Sequence, residues 1–365
     1  MVKKILIVGG TWNEKGGMPS STIKNMKKIM NVATVHNGGD YSALRKIIQT
    51  TPNYDYVFWF ANIEDERMAN IGNVKEYAPK CLLITSKRND NYKKRLEDLL
   101  EYAITTKSNL FFEFSKQENK KFNIRVFDPL GCIWYCGTDL AEAVKACLSR
   151  LAFLSNLTRK PTIHDPYTDN TIKNFNKDGV EFFEIIKESS NCFQKLMCSQ
   201  GSCTCKTTLA FDEPTRCMYG FPGIRTGNTI FLSKRTIGSN GITEDDFVPC
   251  FLNDDGSVRY GNEKPSIDAP VQLKLFKEYH NIDYILHGHV YIKDAPITEQ
   301  VIPCGALETV DEILKYIDKN TDFAVLNLKG HGCIILSSTA NLDKMKEVTY
   351  VVRPIPESCI EENRS

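Results

Sequence analysis

The sequence predicts an α/β protein of two domains, and three observations predict it. At 365 residues the chain is longer than one hydrophobic core normally supports. From Lys3 to about Phe153, short apolar runs alternate with amphipathic stretches, the pattern of a doubly wound, mostly parallel sheet covered by helices on both faces. Beyond Cys205 the pattern changes to short strands separated by turns, as a second domain with its own sheet requires. The expected boundaries are 1–155 for the first domain, 156–185 for a linker and 186–365 for the second domain.

In the first domain the apolar runs predict strands at Ile5–Val8, Ala33–His36, Tyr56–Phe60, Leu82–Thr85, Leu110–Phe114 and Ile124–Phe127. Helices are predicted between them at Ser21–Met30, Tyr41–Ile48 and Tyr92–Ala103, with a last helix at Asp139–Phe153. In that last helix Leu140, Ala143, Val144, Cys147, Leu148 and Leu151 recur at three and four, and Thr138 offers an N-cap. Sheets of this kind bind ligands beyond the C-terminal ends of their strands. The first such loop runs from Gly9 to Ser21. Gly9, Gly10, Gly16 and Gly17 let backbone amides approach a ligand, Thr11 adds a hydroxyl, and Ser20 and Ser21 stand at a helix start, where unpaired N–H groups favour an anion. A Rossmann-like domain holding a nucleotide or phosphate is one reading. The other is that these glycines, and those of Asn37-Gly38-Gly39-Asp40, only make tight turns, since the spacing is neither a dinucleotide fingerprint nor a P-loop.

Hydrophobic residues make up 42% and charged residues 25%, ordinary globular composition. The net charge of +1 gives no basic excess to release counterions, so nucleic acid is not an expected partner. The stretch Met1–Gly10 is too short for a signal peptide or membrane span, which makes a cytoplasmic protein without membrane attachment the expectation. The thirteen cysteines then read mostly as thiols. Cys198, Cys203, Cys205 and Cys217 cluster, but without the paired two-residue gaps of a zinc finger, so a loop-rich connector is expected there. In the linker, Pro161 and Pro166 disfavour helix and His164 reads as a solvated residue.

The second domain opens with a strand at Thr229–Ser233, a turn at Gly241–Asp246 leading to a strand near Phe247-Val248, and a hairpin connection at Asp254-Asp255-Gly256-Ser257. Lys264-Pro265-Ser266-Ile267-Asp268 precedes a helix at Ala269–Tyr279, with His280 suited to its C-terminus as a cation. The run Tyr284-Ile285-Leu286 ends in His287-Gly288-His289. Residues two apart on a strand share a face, so both imidazoles can converge on one ion. His331, in Gly330-His331-Gly332 before another apolar run, supplies a third nitrogen. Three nitrogens with a position left open suit a catalytic divalent cation, zinc first. Asp268 either faces that cation or only caps its helix.

The order of these motifs from about Thr229 to Leu336 resembles the class II aldolase and adducin family, with its Thr-x-x-Asp turn, Pro-Ser-x-acid motif, His-x-His pair and later His-Gly. The resemblance implies a class II aldolase-like α/β/α domain in which His287, His289 and His331 hold the metal, and Asp268 is a fourth ligand or general base. It implies an aldolase or retro-aldol epimerase acting on a sugar or sugar phosphate, and a homo-oligomer, commonly a tetramer. Tyr291 and Tyr350 are then candidate proton donors. The chain departs from the family at its phosphate loop, where Phe211–Cys217 contains Asp212 and Glu213, acids that repel phosphate. Arg216, Arg225, Lys234 and Arg235 are cations that either compensate or remain solvated surface charge. Two other classes compete: a non-catalytic adducin-like binding protein, and a nucleoside or glycosyl transferase whose chemistry lies at Gly9–Ser21.

Overall fold

The computed structural model describes residues 3–11, 20–30, 49, 54–62, 81–90, 94, 96–116, 122–167, 175–199, 222–235 and 243–353. The chain divides into two compact units, with the boundary between Asn156 and Leu157.

The first unit is a six-stranded sheet of β1 (Ile5–Thr11), β2 (Tyr56–Asn62), β3 (Leu82–Arg88), β4 (Leu110–Lys116), β5 (Phe122–Phe127) and β6 (Ile133–Gly137), hydrogen-bonded in that order. β1 to β4 are parallel, whereas β5 and β6 run antiparallel to their neighbours. The expectation of a parallel strand at Ile124–Phe127 is therefore corrected, and β6 was not foreseen. Residues 117–121 and 128–132 are the whole connections, and a parallel crossover needs about a dozen residues or more. Among the described residues the strand order shows no reversal. The expected strand Ala33–His36, helix Tyr41–Ile48 and loop Asn37–Asp40 fall outside them.

Alternate side chains of this sheet feed two cores. On one face Ile7, Phe58, Ile84 and Phe112 pack against Ile23 and Met26 of α1 (Ser21–Met30) and Val144, Cys147 and Leu151 of α3 (Leu140–Asn156). On the other, Phe111, Phe127 and Ile133 meet Leu99, Leu100 and Ala103 of α2 (Leu96–Thr105). Asp139, not Thr138, caps α3: its Oδ1 accepts from the N–H groups of Ala141 (2.7 Å) and Glu142 (3.2 Å). Asp128 holds the β5–β6 turn, accepting from the N–H of Leu130 and Cys132 and from the Trp134 indole.

The second unit is an eight-stranded sheet ordered β14-β15-β12-β8-β9-β10-β11-β7. Its strands are β7 (Thr162–His164), β8 (Gly223–Thr226), β9 (Thr229–Ser233), β10 (Phe247–Leu252), β11 (Val258–Tyr260), β12 (Tyr284–Gly288), β14 (Phe323–Leu328) and β15 (Gly332–Ser337). A two-stranded ribbon joins β13 (Tyr291–Ile292) to β16 (Tyr350–Val351). Helices cover both faces of the large sheet. α5 (Ala269–Glu278) and α6 (Glu308–Ile313) bury Leu273, Leu275, Phe276, Val310 and Ile313 against Ile285, Leu326, Ile334 and Leu336. α4 (Lys177–Ser199) buries Phe182, Ile186 and Phe193 against Tyr284, Leu286 and Ile335 on the opposite face. The segment expected to be a linker instead supplies β7, which pairs with β11 at the sheet edge, and the start of α4. Pro161 stands just before β7 and Pro166 beyond it, so neither removes a donor from within the three-residue strand. The hairpin at Asp254–Ser257 is present, with Gly256 at φ +81° and the Ser257 N–H donating to Asp255 Oδ1 at 2.8 Å. Among the described residues no helix is long and apolar enough to cross a membrane.

Candidate metal centre

His287 lies in β12, His289 one residue beyond its end, and His331 in the turn that leads into β15. In β12, Tyr284 and Leu286 point to the α4 side and Ile285 to the α5 side, so His287 continues the face of Ile285. Gly288 between the histidines is a packing requirement. A Cβ there would stand 2.5 Å from the Phe193 ring, which presses on the β12 backbone from α4. Gly332 is more constrained still, since a Cβ there would run into the Gly288 carbonyl oxygen on the neighbouring strand. The two glycines thus let helix and strand backbones approach closely enough to bring His289 and His331 together.

His331 leaves a tight turn, its N–H donating to Leu328 O at 2.9 Å after Gly330 at φ +69°. The turn is held from both sides: the Gly330 N–H donates to the Tyr291 hydroxyl (2.8 Å) and Arg353 donates to the Gly330 carbonyl (2.6 Å). Asn327, buried just ahead of this turn, ties it to β13 by accepting from the Ile292 N–H at 2.8 Å and donating to Ile292 O at 2.9 Å.

The result is a buried imidazole cluster. Ring centroids lie 5.2 Å (His287–His289), 4.7 Å (His287–His331) and 5.4 Å (His289–His331) apart. One ligand atom from each of the three lies within 4.8 Å of the others. His287 Nδ1 is 2.8 Å from the Cys333 carbonyl. A carbonyl only accepts, so Nδ1 carries the proton and the Nε2 lone pair is left to face the cluster. Burial, reinforced by His287, His289 and Arg353, holds His331 well below the usual imidazole range, so it is a neutral donor at neutral pH.

Asp268 does not cap α5 with its side chain. Ser266 accepts from the Asp268 N–H at 3.1 Å and so shapes the bend before α5, while Asp268 Oδ1 accepts from the Gly305 N–H at 2.6 Å. Burial raises its pKa, opposed by the charges of His287 and Arg159 and by the Gly305 hydrogen bond. Asp268 also forms a second donor group with Cys304 and His331, whose ligand atoms again lie within 4.8 Å of one another. These residues fit a divalent cation. Asp268 Oδ2 is buried with no hydrogen-bond partner among the described residues, a costly condition that a cation beside it would relieve.

The other expected residues have different surroundings. The Tyr350 hydroxyl lies 3.2 Å from that of Ser189, and burial pushes its pKa up. Tyr291 is buried and spends its hydroxyl on the Gly330 turn. Lys234 pairs with Asp246 at 2.8 Å, and Arg225 donates to the carbonyls of Phe276, Tyr279 and His280, closing the end of α5 where His280 was expected to act. In the first unit, Gly9 and Gly10 lie in β1, as does Thr11. A Cβ at Gly9 would collide with Ile23 and reach the Phe60 carbonyl at 3.0 Å, so this glycine serves close packing of α1 on the sheet. Ser20 accepts from the Ile23 N–H at 3.3 Å as an N-cap, and Ser21 is the first residue of α1. Gly16, Gly17, Cys203, Cys205, Phe211–Cys217 and Arg216 lie outside the described residues, as does the side chain of Cys198. The eight cysteines with described side chains form no disulfide.

Sequence reasoning missed Cys304, Gly305 and Arg353. Cys304 sits in Val301-Ile302-Pro303-Cys304-Gly305, outside any strand or helix, where no periodicity draws attention to it.

No protein-family model matches the chain, and no curated protein matches it. Among solved structures, it is similar to an L-fuculose 1-phosphate aldolase at 16% identity and a TM-score of 0.29, over 45% of this chain and 82% of that one. It is similar to an L-fuculose-1-phosphate aldolase from Thermus thermophilus at 12% identity and a TM-score of 0.28, over 45% of this chain and 90% of that one. It is also similar to a DNA/pantothenate metabolism flavoprotein from Streptococcus pneumoniae at 10% identity and a TM-score of 0.33, over 42% of this chain and 100% of that one.

Proposed function

We propose that the chain is a divalent-metal lyase or epimerase that opens and closes a carbon–carbon bond of a sugar or sugar phosphate by retro-aldol chemistry. The observation that carries this reading is the convergence of three buried histidine donors within 4.8 Å beside a buried carboxylate oxygen with no hydrogen-bond partner. His287, His289 and His331 would hold the cation, and zinc suits an all-imidazole face with a position left for substrate. When bound, such a cation supplies Lewis-acid polarisation of a substrate oxygen.

The chain's own residues do the rest. The Gly305 N–H fixes one oxygen of Asp268 at 2.6 Å and leaves Oδ2 to take a proton from the substrate hydroxyl as the carbon–carbon bond breaks, the bonding electrons remaining on the carbon beside the carbonyl. In the absence of a cation, burial raises the Asp268 pKa. Arg159 is exposed, and its charge is felt at Asp268, which makes it a candidate contact for an anionic substrate group in place of the family's phosphate loop.

Metal analysis of the purified protein tests the reading. Near-stoichiometric zinc is expected in the wild type and near-zero zinc in a His287→Ala/His289→Ala double variant of unchanged circular dichroism. Equal, negligible metal in both proteins removes the proposal.

A further inference from the structure

The centre contains a sulfur that the family resemblance does not account for. Cys304 Sγ lies 3.0 Å from His331 Nε2, and its donor atom lies within 4.8 Å of those of both Asp268 and His331. Its position is built by the fold. Gly305, the next residue, has φ +75°, and a Cβ there would stand 2.9 Å from the Ile267 carbonyl, so the chain passes tightly over the bend that carries Asp268. The Gly305 N–H then bonds that same carboxylate at 2.6 Å. Cys304 and Asp268 are thus locked to each other by backbone geometry. Asp268 is 5% exposed and His331 3% exposed, and Asp268 Oδ2 has no hydrogen-bond partner among the described residues. A sulfur, a carboxylate and an imidazole that converge in this way form a donor set in their own right.

We propose that Cys304 is a metal ligand, a thiolate that joins the histidines on the same cation. The proposal rests on the metal reading of the three histidines and adds to it the softness of the site. The thiol proton is released to solvent as the metal–sulfur bond forms, so the ligand set gains one negative charge. A thiolate favours zinc, cobalt(II) and other soft or borderline cations over magnesium, calcium and manganese, which prefer oxygen. With the three histidines it makes four protein ligands, so a substrate oxygen would enter as a fifth, and Asp268 Oδ2 would remain for proton transfer.

Cobalt(II) loading of the full chain tests this. The wild type is expected to show the visible ligand-field bands of protein-bound cobalt together with an intense near-ultraviolet sulfur-to-cobalt charge-transfer band. Cys304→Ser is expected to keep the ligand-field bands and lose the charge-transfer band. Ligand-field bands without charge transfer in the wild type, or a charge-transfer band that survives in Cys304→Ser, overturns the role of Cys304 and leaves the histidine site standing. Failure of the wild type to bind cobalt at all overturns both readings. A second measurement needs no variant: alkylation of the wild type followed by peptide mass mapping is expected to label Cys304 in chelator and spare it with zinc present. Equal labelling in the two states also overturns the proposal.

Discussion

His331 sits where an added proton is least tolerated: it is buried, beside two further imidazoles and near Arg353. Its folded-state pKa lies below the ordinary 6.5, so as pH falls the unfolded chain takes up a proton before the folded chain does. Stability is therefore fully expressed above 6.5 and lost as pH drops below that value, down to the folded-state pKa. Asp268, with its raised pKa, works in the opposite direction at lower pH, above its ordinary 3.8. Thermal unfolding in chelator is expected to show a falling melting temperature from about pH 7 to about pH 5, with a shallower slope in His331→Asn. Identical slopes in the two proteins would remove His331 as the cause. The glycines give a second residue-scale expectation. Gly288→Ala asks one Phe193 ring to move and is expected to cost about 1–3 kcal/mol by urea unfolding, whereas Gly332→Ala must push apart a pair of hydrogen-bonded backbones and is expected to cost more and to lower zinc content. The sequence put the histidines and Asp268 forward through short motifs, although strand alternation does not describe them, since β12 ends at Gly288 and His331 precedes β15. Cys304 was not legible there, because its neighbours in the site are brought to it only by the Gly305 turn and the bend before α5.

At the scale of elements, sequence pattern located the apolar runs well and said little about their direction. The period of a strand is the same whichever way it runs. With β4 ending at Lys116 and β5 starting at Phe122, the connection is too short for a parallel crossover, a constraint that the expectation of a parallel strand at Ile124–Phe127 left out. β6 was missed because its run Ile133–Gly137 is short and half-buried in pattern, and its place is fixed by Asp128 bonding the turn before it. β7 was missed because flanking prolines mask a three-residue edge strand. The start of α3 separates two adjacent caps. Asp139→Ala removes the acceptor of two helix N–H groups and is expected to cost about 0.5–2 kcal/mol, while Thr138→Ala is expected to change stability little. Urea unfolding of the two variants side by side decides between them, and a larger loss at Thr138 contradicts the assignment.

At the scale of the whole molecule, each unit owns its cores: those of the first draw on residues up to Leu151, and those of the second on residues from Phe182 onward. All the candidate ligands, His287, His289, His331, Asp268 and Cys304, belong to the second unit. Binding that is confined to one unit stabilises that unit by mass action, by about 2.7 kcal/mol when free ligand exceeds the dissociation constant a hundredfold. A chain of two cores is not obliged to unfold in one step. Calorimetry is accordingly expected to resolve two transitions, of which zinc raises one and chelator lowers the same one. Leu151→Ala, which cuts a cavity in the core of the first unit, is expected to lower the other by an amount set by about 2–5 kcal/mol of lost packing. If zinc moved the transition that Leu151→Ala lowers, the cation would be bound by the first unit, and the histidine cluster of the second would have lost its claim to it.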